Sequence, residues 1–453
     1  MRTVYASSVA TLDSDVYHGG GTDVTDALQS VLDGGNVHLI VDGAALVHGL
    51  VIYSNTVIEC PTASCGFFMD DYHFGPILRN ANQVMSWDII DHDMILLGGT
   101  YNHNCMNQLG EGANEQFLFN TEFLFNGTYN LTMKDVHIRN FRAMAMLARW
   151  MVNTVFEGLR LELPDFIFSG HQDGFNIGFC RNLIIRDFQG TSGDDILSLG
   201  GENTDVLIDG VFFHDARQGI RMLNNGKSGS GPIDRVTVRN VTGNFHTFVF
   251  SVNAWYPNGN YGNFGSLDFE NIDVRMLPPL HDFTPQMFCW FGGDIDSVTF
   301  RNVRVTNTTD HRPYFELGVP YMETFLPLPE HKPRFKYFEL NGFTVIENSP
   351  NSGTEYVNLH EKIDHVVLRD IHVFREGTPY GSLVTLPFEG ACDTLSMSDV
   401  HVKGLENTIY AEKGHSIERL IASNVILENI PNGLVNAPND TVKKQILHNV
   451  NEL

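Results

Sequence analysis

Two short segments carry residues whose types and spacing could do acid–base chemistry. One runs from His171 to Gly178 as HQDGFNIG and the other from Ser192 to Gly200 as SGDDILSLG. Setting Asp173 over Asp195 (195 − 173 = 22) lays Phe175 on Leu197, Asn176 on Ser198, Ile177 on Leu199 and Gly178 on Gly200. If the two segments are adjacent parallel strands, about 4.8 Å apart, then Asp173, Asp194 and Asp195 gather within one step of a stack. Alternation makes Phe175/Leu197 and Ile177/Leu199 the inward residues and turns Asn176 and Ser198 outward. It would also turn Asp173 and Asp195 inward, so both are assigned to a corner just ahead of the regular strand. Carboxylates held this close do not all ionise at their ordinary values, because each negative neighbour raises the cost of the next charge. A neutral carboxyl that protonates a leaving oxygen, beside an ionised one that activates water, is the division of labour that glycosidic bond hydrolysis needs. Each segment alone is ordinary turn sequence; their coincidence at one spacing is what points to a site.

The elements that must position these acids are visible as a repeat. A pattern of apolar, any, apolar, any, Asn/Asp/Gly, apolar, any, apolar recurs eleven times, with the turn residue at Asp135, Gly158, Asp187, Gly210, Asn240, Asn271, Asn302, Gly342, Asp370, Asp399 and Asn424. Successive differences are 23, 29, 23, 30, 31, 31, 40, 28, 29 and 25. Period-2 apolar residues indicate strands, and Asn, Asp or Gly at the break indicates a bend, since these residues tolerate left-handed backbone angles. With no helix-length periodic stretch between copies, the repeat describes one coil of a solenoid rather than a strand–helix–strand unit. A sandwich or propeller would not give eleven such copies. The predicted fold is all-β, a single right-handed parallel β-helix spanning residues 1–453, with regular coils over about 130–430 and a polar closing segment over 431–453. The exposed end of a solenoid needs a cover. Residues 20–50 fit it, with Thr25 or Asp23 capping a short helix that faces Ala27, Leu28, Val31 and Leu32 inward before Val37, Leu39 and Val41 begin the first strand. Coils between Val51 and Met69 are expected to be irregular.

Composition excludes several classes of function. With 29 basic against 54 acidic residues the formal charge is −25, which repels nucleic acid and anionic membrane surfaces. No apolar run is long enough for a spanning helix. The start of the chain shows no signal-type apolar run, so a cytoplasmic location is favoured and secretion stays open if a leader has been removed. The six scattered cysteines read as buried thiols rather than as a disulfide framework or zinc site.

With these acids on these coils, the chain resembles glycoside hydrolase family 28, the polygalacturonase-like enzymes, whose coils carry Asn-Thr-Asp and, one coil later, Gly-(Gln)-Asp-Asp. Here His171-Gln172-Asp173 stands for the first and Ser192-Gly193-Asp194-Asp195 for the second. The resemblance covers the architecture from about residue 23 onward and specific motifs from His171 to Gly200. It implies Asp194 as general acid and Asp173 with Asp195 as the water-activating pair of an inverting hydrolase, with no metal or cofactor. Two family motifs are replaced. Gly-His-Gly gives way to Ala216-Arg217-Gln218-Gly219-Ile220-Arg221, and the Arg-Ile-Lys that grips uronate carboxylates gives way to residues near Phe248–Asn253. Without that grip, plain polygalacturonate is disfavoured as substrate relative to a neutral or mixed glycan.

Candidate substrate-binding residues are then His171, Asn176, Ser198, His214, Arg217, Gln218 and Arg221, with Trp255 and Trp290 as aromatic platforms for sugar rings. Arg221 is expected to align with outward Asn176 and Ser198. Glu202, Asp205 and Asp209 lie just past the aspartate pair, where a calcium site is conceivable and a solvated acidic turn is preferred. Two other readings remain. One is a calcium-dependent polysaccharide lyase of the same architecture with Arg217 or Arg221 as base, and the other is a non-catalytic carbohydrate-binding β-helix. The expected partner in every case is a carbohydrate, with the oligomeric state left open.

Overall fold

The computed structural model describes residues 1–109, 119–164, 172–224, 231–254, 262–278, 287–308, 314–318, 334–347, 355–387 and 390–453. The chain divides into two compact units, Met1–Arg217 and Gln218–Leu453. Both are stacks of parallel strands, and the fold is the right-handed parallel β-helix that the repeat predicts. Coil length inside each unit equals the interval between bend residues. In the first unit Lys134 pairs with Glu157, Glu157 with Arg186 and Arg186 with Asp209, steps of 23, 29 and 23. In the second, Arg239, Glu270, Arg301, Asn341, Arg369, Ser398 and Ser423 pair in succession, steps of 31, 31, 40, 28, 29 and 25.

All eleven expected bend residues have positive φ, from 51° at Asp187 to 78° at Gly210 and Gly342. Their side chains also hold one coil to the next: Asn271 Nδ2 donates to Asn240 Oδ1 at 3.1 Å and Asn302 Nδ2 to Asn271 Oδ1 at 2.9 Å. A second left-handed series, which the repeat pattern does not reveal, runs through the first unit and recurs once in the second at Arg235, five residues ahead of Asn240 with φ 52°. Asp93, Asn130, Asn153, Asn182 and Asp205 lie five residues ahead of Gly98, Asp135, Gly158, Asp187 and Gly210, and all ten have positive φ.

Inward residues form continuous apolar rows. Met146, Phe175 and Leu197 are in register and buried in the first unit, where Phe175 also meets Phe156 and Phe188. Rings dominate the second unit, with Phe269 stacked on Phe300 at 4.5 Å and Phe315 packed on Phe300 and Phe338. Each such ring withdrawn from water stabilises its coil by about 1.5–3 kcal/mol. All six cysteines are buried and free.

The N-terminal cover forms, but its helix cap is Val24, without a side-chain capping bond, and neither Thr25 nor Asp23. The helix is Thr25–Leu32, and Asp23 Oδ1 accepts from the Thr25 main-chain N at 2.9 Å and from the Thr25 hydroxyl at 2.6 Å. Leu28, Val31 and Leu32 are buried, Ala27 only half-buried. Val37–Ile40 is not the first strand, because Arg2–Tyr5 precedes it and pairs with it in parallel. Nor is 51–69 irregular: Leu50–Ile52, Thr56–Glu59 and Gly66–Met69 are strands in register with the following coil. The closing segment contains a strand, Gln445–Glu452, laid on Ser416–Glu428. Among the described residues no helix is long and apolar enough to cross a membrane.

Candidate active site

Asp173 is the first residue of strand Asp173–Gly190, and Asp195 the first of strand Asp195–Ala216. The strands pair in the anticipated register, Phe175 with Leu197, Asn176 with Ser198, Ile177 with Leu199 and Gly178 with Gly200. The corner ahead of them is tied together by Gln172, whose carbonyl accepts from Gly193 N at 2.9 Å and Asp194 N at 3.2 Å. Its buried side chain donates to Phe141 O at 2.9 Å. Ser192 Oγ donates to Asp194 O at 2.8 Å, closing the turn that presents Asp194. Gly174 is required here: a Cβ on it would lie 2.2 Å from Ile196 O, inside any allowed contact.

A cation stands beside each of two acids. Asp173, 6% exposed, accepts from Asn176 Nδ2 at 3.0 Å. Arg149 on the preceding coil in turn donates to Asn176 O at 2.7 Å and Asn176 Oδ1 at 2.8 Å. Withdrawal from water pushes the Arg149 guanidinium down to about 10, and the charge of Asp173 acts in the opposite direction. The half-buried Asp194 has Arg217 Nη1 3.7 Å from its Oδ1, and that nitrogen donates to Gly193 O at 3.0 Å. Asp195 is 3% exposed.

Sequence reasoning missed Arg149. Its signal was an arginine inside the apolar run Met144–Leu147 and Ala148, 29 residues before Gly178, with which it pairs (178 − 149 = 29). Gly178 makes space for its stem, since a Cβ there would come within 2.8 Å of Arg149 Cδ. It also missed the next residues on both coils. Trp150 and Phe179 adopt left-handed backbone, φ 52° and 54°, and their half-buried rings stack 4.6 Å apart and 1° from parallel. Bulky side chains at such angles are strained, and strain of this kind gathers at functional sites.

The other candidates are placed as follows. Ser198 is buried and beside Asn176. His214 is exposed, 3.3 Å from Gln189 Oε1 and edge-on to Phe212 at 4.4 Å. Gln218 and Arg221 belong to the second unit, where Arg221 donates to Gln218 Oε1 at 3.1 Å and lies over the Phe248 ring. His171 and Trp255 lie outside the described residues. Glu202 does not belong to a solvated acidic turn. It is buried and accepts from Arg181 at 2.7 and 3.0 Å, while Arg181 lies over Trp87. Asp205 is an exposed bend residue and Asp209 is half-buried. Among the described residues no group of three His, Cys, Asp or Glu is arranged to hold a metal ion.

No family model matches the chain, and no curated protein matches it in sequence. Solved structures match its fold. A tailspike protein of E. coli bacteriophage HK620 in complex with a pentasaccharide is 10% identical, with a TM-score of 0.58, covering 95% of this chain and 75% of its own. The family 28 exopolygalacturonase of Yersinia enterocolitica is 10% identical, with a TM-score of 0.50 over 99% and 78% of the two chains. The A-module of a mannuronan C-5 epimerase from Azotobacter vinelandii is also 10% identical, at 0.50 over 98% of both. Identities this low speak for the parallel β-helix fold and do not establish membership of family 28.

Proposed function

We propose that the protein acts on carbohydrate and hydrolyses a glycosidic bond with inversion, using Asp173, Asp194 and Asp195. The observation that carries this reading is the register of the two acid-bearing strands, with Gln172 tying the Asp194 turn to the residue beside Asp173. Asp194, the least buried of the three, protonates the leaving oxygen, while Asp173 and Asp195 take a proton from the attacking water. Arg149, acting through Asn176, fixes the orientation of Asp173. The stacked Trp150 and Phe179 supply an apolar face of the kind sugar rings pack on, and Arg217 accounts for a hydroxyl or carboxylate contact. Two of the structures with this fold carry carbohydrate-acting names and the tailspike holds an oligosaccharide, which supports the substrate class. The substrate is a neutral or mixed glycan in preference to plain polygalacturonate, because the family's uronate-gripping cations are not matched. Product analysis by NMR on neutral and uronic oligosaccharides tests this reading. Wild type should release an inverted anomer and Asp194→Asn should not; glycan bound without release of reducing ends would favour the binding-protein alternative.

A further inference from the structure

Where long strands of the second unit begin, four successive coils border an open cavity of about 460 Å³. The strands Ile233–Phe245, Asn263–Met276, Asp294–Asn307 and Phe335–Glu347 stack in register, with Ile233, Phe264, Ile295 and Phe335 as one inward row. The residues flanking that row wall the cavity. Asp234 stands at one end, Asp294 and Asp296 two coil steps away at roughly 10 Å, and Arg334 and Lys336 one coil further. Between the acids the intervening coil offers only Asn263 and Gly265 as walls, which leaves a saddle. Glycine is required there: a Cβ on Gly265 would lie 1.8 Å from Asp234 Oδ1, which bends over it to accept from Ser266 N at 2.9 Å.

The walls reach water. Asn263 is exposed, and Asp296 and Arg334 expose 61% and 66% of their side chains. Trp290, the other aromatic candidate of the second unit, is 3% exposed and gives a sugar ring no face. The walls are also held in place. Asp234 pairs with Arg235 at 2.5 Å, Asp296 with Lys336, and Arg334 with Asp364 at 2.8 Å, while Asp294 Oδ1 accepts from Arg334 N at 2.8 Å. An anion in the saddle would meet Asp234, Asp294 and Asp296, and the cations bordering it are already held by acids. A cation would compete with Arg235 and Lys336 for those same acids. Sugar hydroxyls meet neither obstacle. They donate to carboxylate oxygens that ion pairs hold still, and the Asn263 amide both donates and accepts. The cavity volume lies within the range of about 300–1,000 Å³ that small-ligand sites occupy.

We infer that the saddle over Asn263 and Gly265 is a second carbohydrate site, which takes a short uncharged oligosaccharide between Asp234 and the Asp294–Asp296 wall. The inference rests on the carbohydrate reading of the protein and not on hydrolysis. Isothermal titration of the full-length Asp194→Asn protein tests it, with uncharged trisaccharides of glucose, galactose, mannose, xylose and N-acetylglucosamine as probes. Trigalacturonate and triglucosamine serve as the anionic and cationic controls. At least one uncharged trisaccharide should show a binding event that two exposed substitutions each weaken at least about tenfold: Asn263→Trp, which fills the saddle, and Asp296→Ala, which removes a charged acceptor. Thermal unfolding of both variants, cooperative as in the parent, confirms that the fold is kept. No bound uncharged trisaccharide, binding confined to a charged control, or an affinity unchanged in either variant overturns the inference. Hydrolysis by wild type without a binding event sensitive to these variants would remove this site and leave the catalytic reading standing. A variant-sensitive event in a protein whose wild type releases no reducing ends would do the reverse.

Discussion

The strand openings Asp173-Gly174-Phe175-Asn176 and Glu355-Tyr356-Val357-Asn358 have the same plan, an acid followed three residues later by an outward asparagine, yet they work in opposite electrostatic settings. In the first, Asn176 bridges Asp173 to the guanidinium of Arg149. In the second, Asn358 donates to Glu316, and the Glu316 charge raises Glu355 beyond what burial does. The second residue differs as well. Gly174 lets the strands close to backbone contact, where Tyr356 is fully buried and stacks on Tyr314 at 5.0 Å. One backbone plan therefore presents either an acid beside a cation or an acid beside another acid, and the neighbouring coil decides which.

The sharpest way to break this contrast is to remove the cation. Arg149→Met should lower activity about 100-fold, by releasing Asp173 from its orientation, and destabilise the fold by about 2–3 kcal/mol, the scale of hydrogen bonds to a charged group. Steady-state kinetics and urea denaturation read the two effects. Next comes the close approach: Gly174→Ala, with its Cβ driven against Ile196 O, should cost about 2 kcal/mol in denaturation.

Bends give a smaller effect that separates the coil of Asn153 from the coil of Thr394 by another route. Asn153 is left-handed, whereas Thr394, five residues ahead of the bend at Asp399, is not. Asn153→Ala should cost about 1 kcal/mol, and Thr394→Ala should lack that backbone penalty when thermal midpoints are compared. Smallest is the pH response of Glu355. A carboxyl raised by folding favours the protonated form, so its contribution is present below the unfolded value of 4.5 and is lost as pH rises through the raised folded value. Glu355→Gln should therefore gain stability relative to wild type over that rise, in denaturation midpoints taken from about pH 4 to about pH 7.

Much of the fold was legible because its signals are local. Each bend residue announces a left-handed corner, and the intervals between bends were the coil lengths. The Asp173/Asp195 register was legible for the same reason, since both segments carry the same alternation and a glycine five residues past the aspartate. What escaped depends on which residues distant coils bring together. Arg149 reaches Asn176 only because that coil is 29 residues long, and Trp150 meets Phe179 by the same spacing. Strand Arg2–Tyr5 was missed because it has only four residues, too few to display a period. The Glu355 opening lacks the Gly-Asp turn signature that drew attention to Asp194, so its likeness to Asp173 emerges only from the register.

The central claim is that the Asp173, Asp194 and Asp195 corner hydrolyses glycosidic bonds, and the most direct test is anomeric analysis of products by NMR with wild type beside Asp194→Asn. An initial product of inverted configuration from wild type, with the rate reduced at least about 1,000-fold in the variant, is the predicted result. Full activity in Asp194→Asn, or a product of retained configuration, would contradict the account.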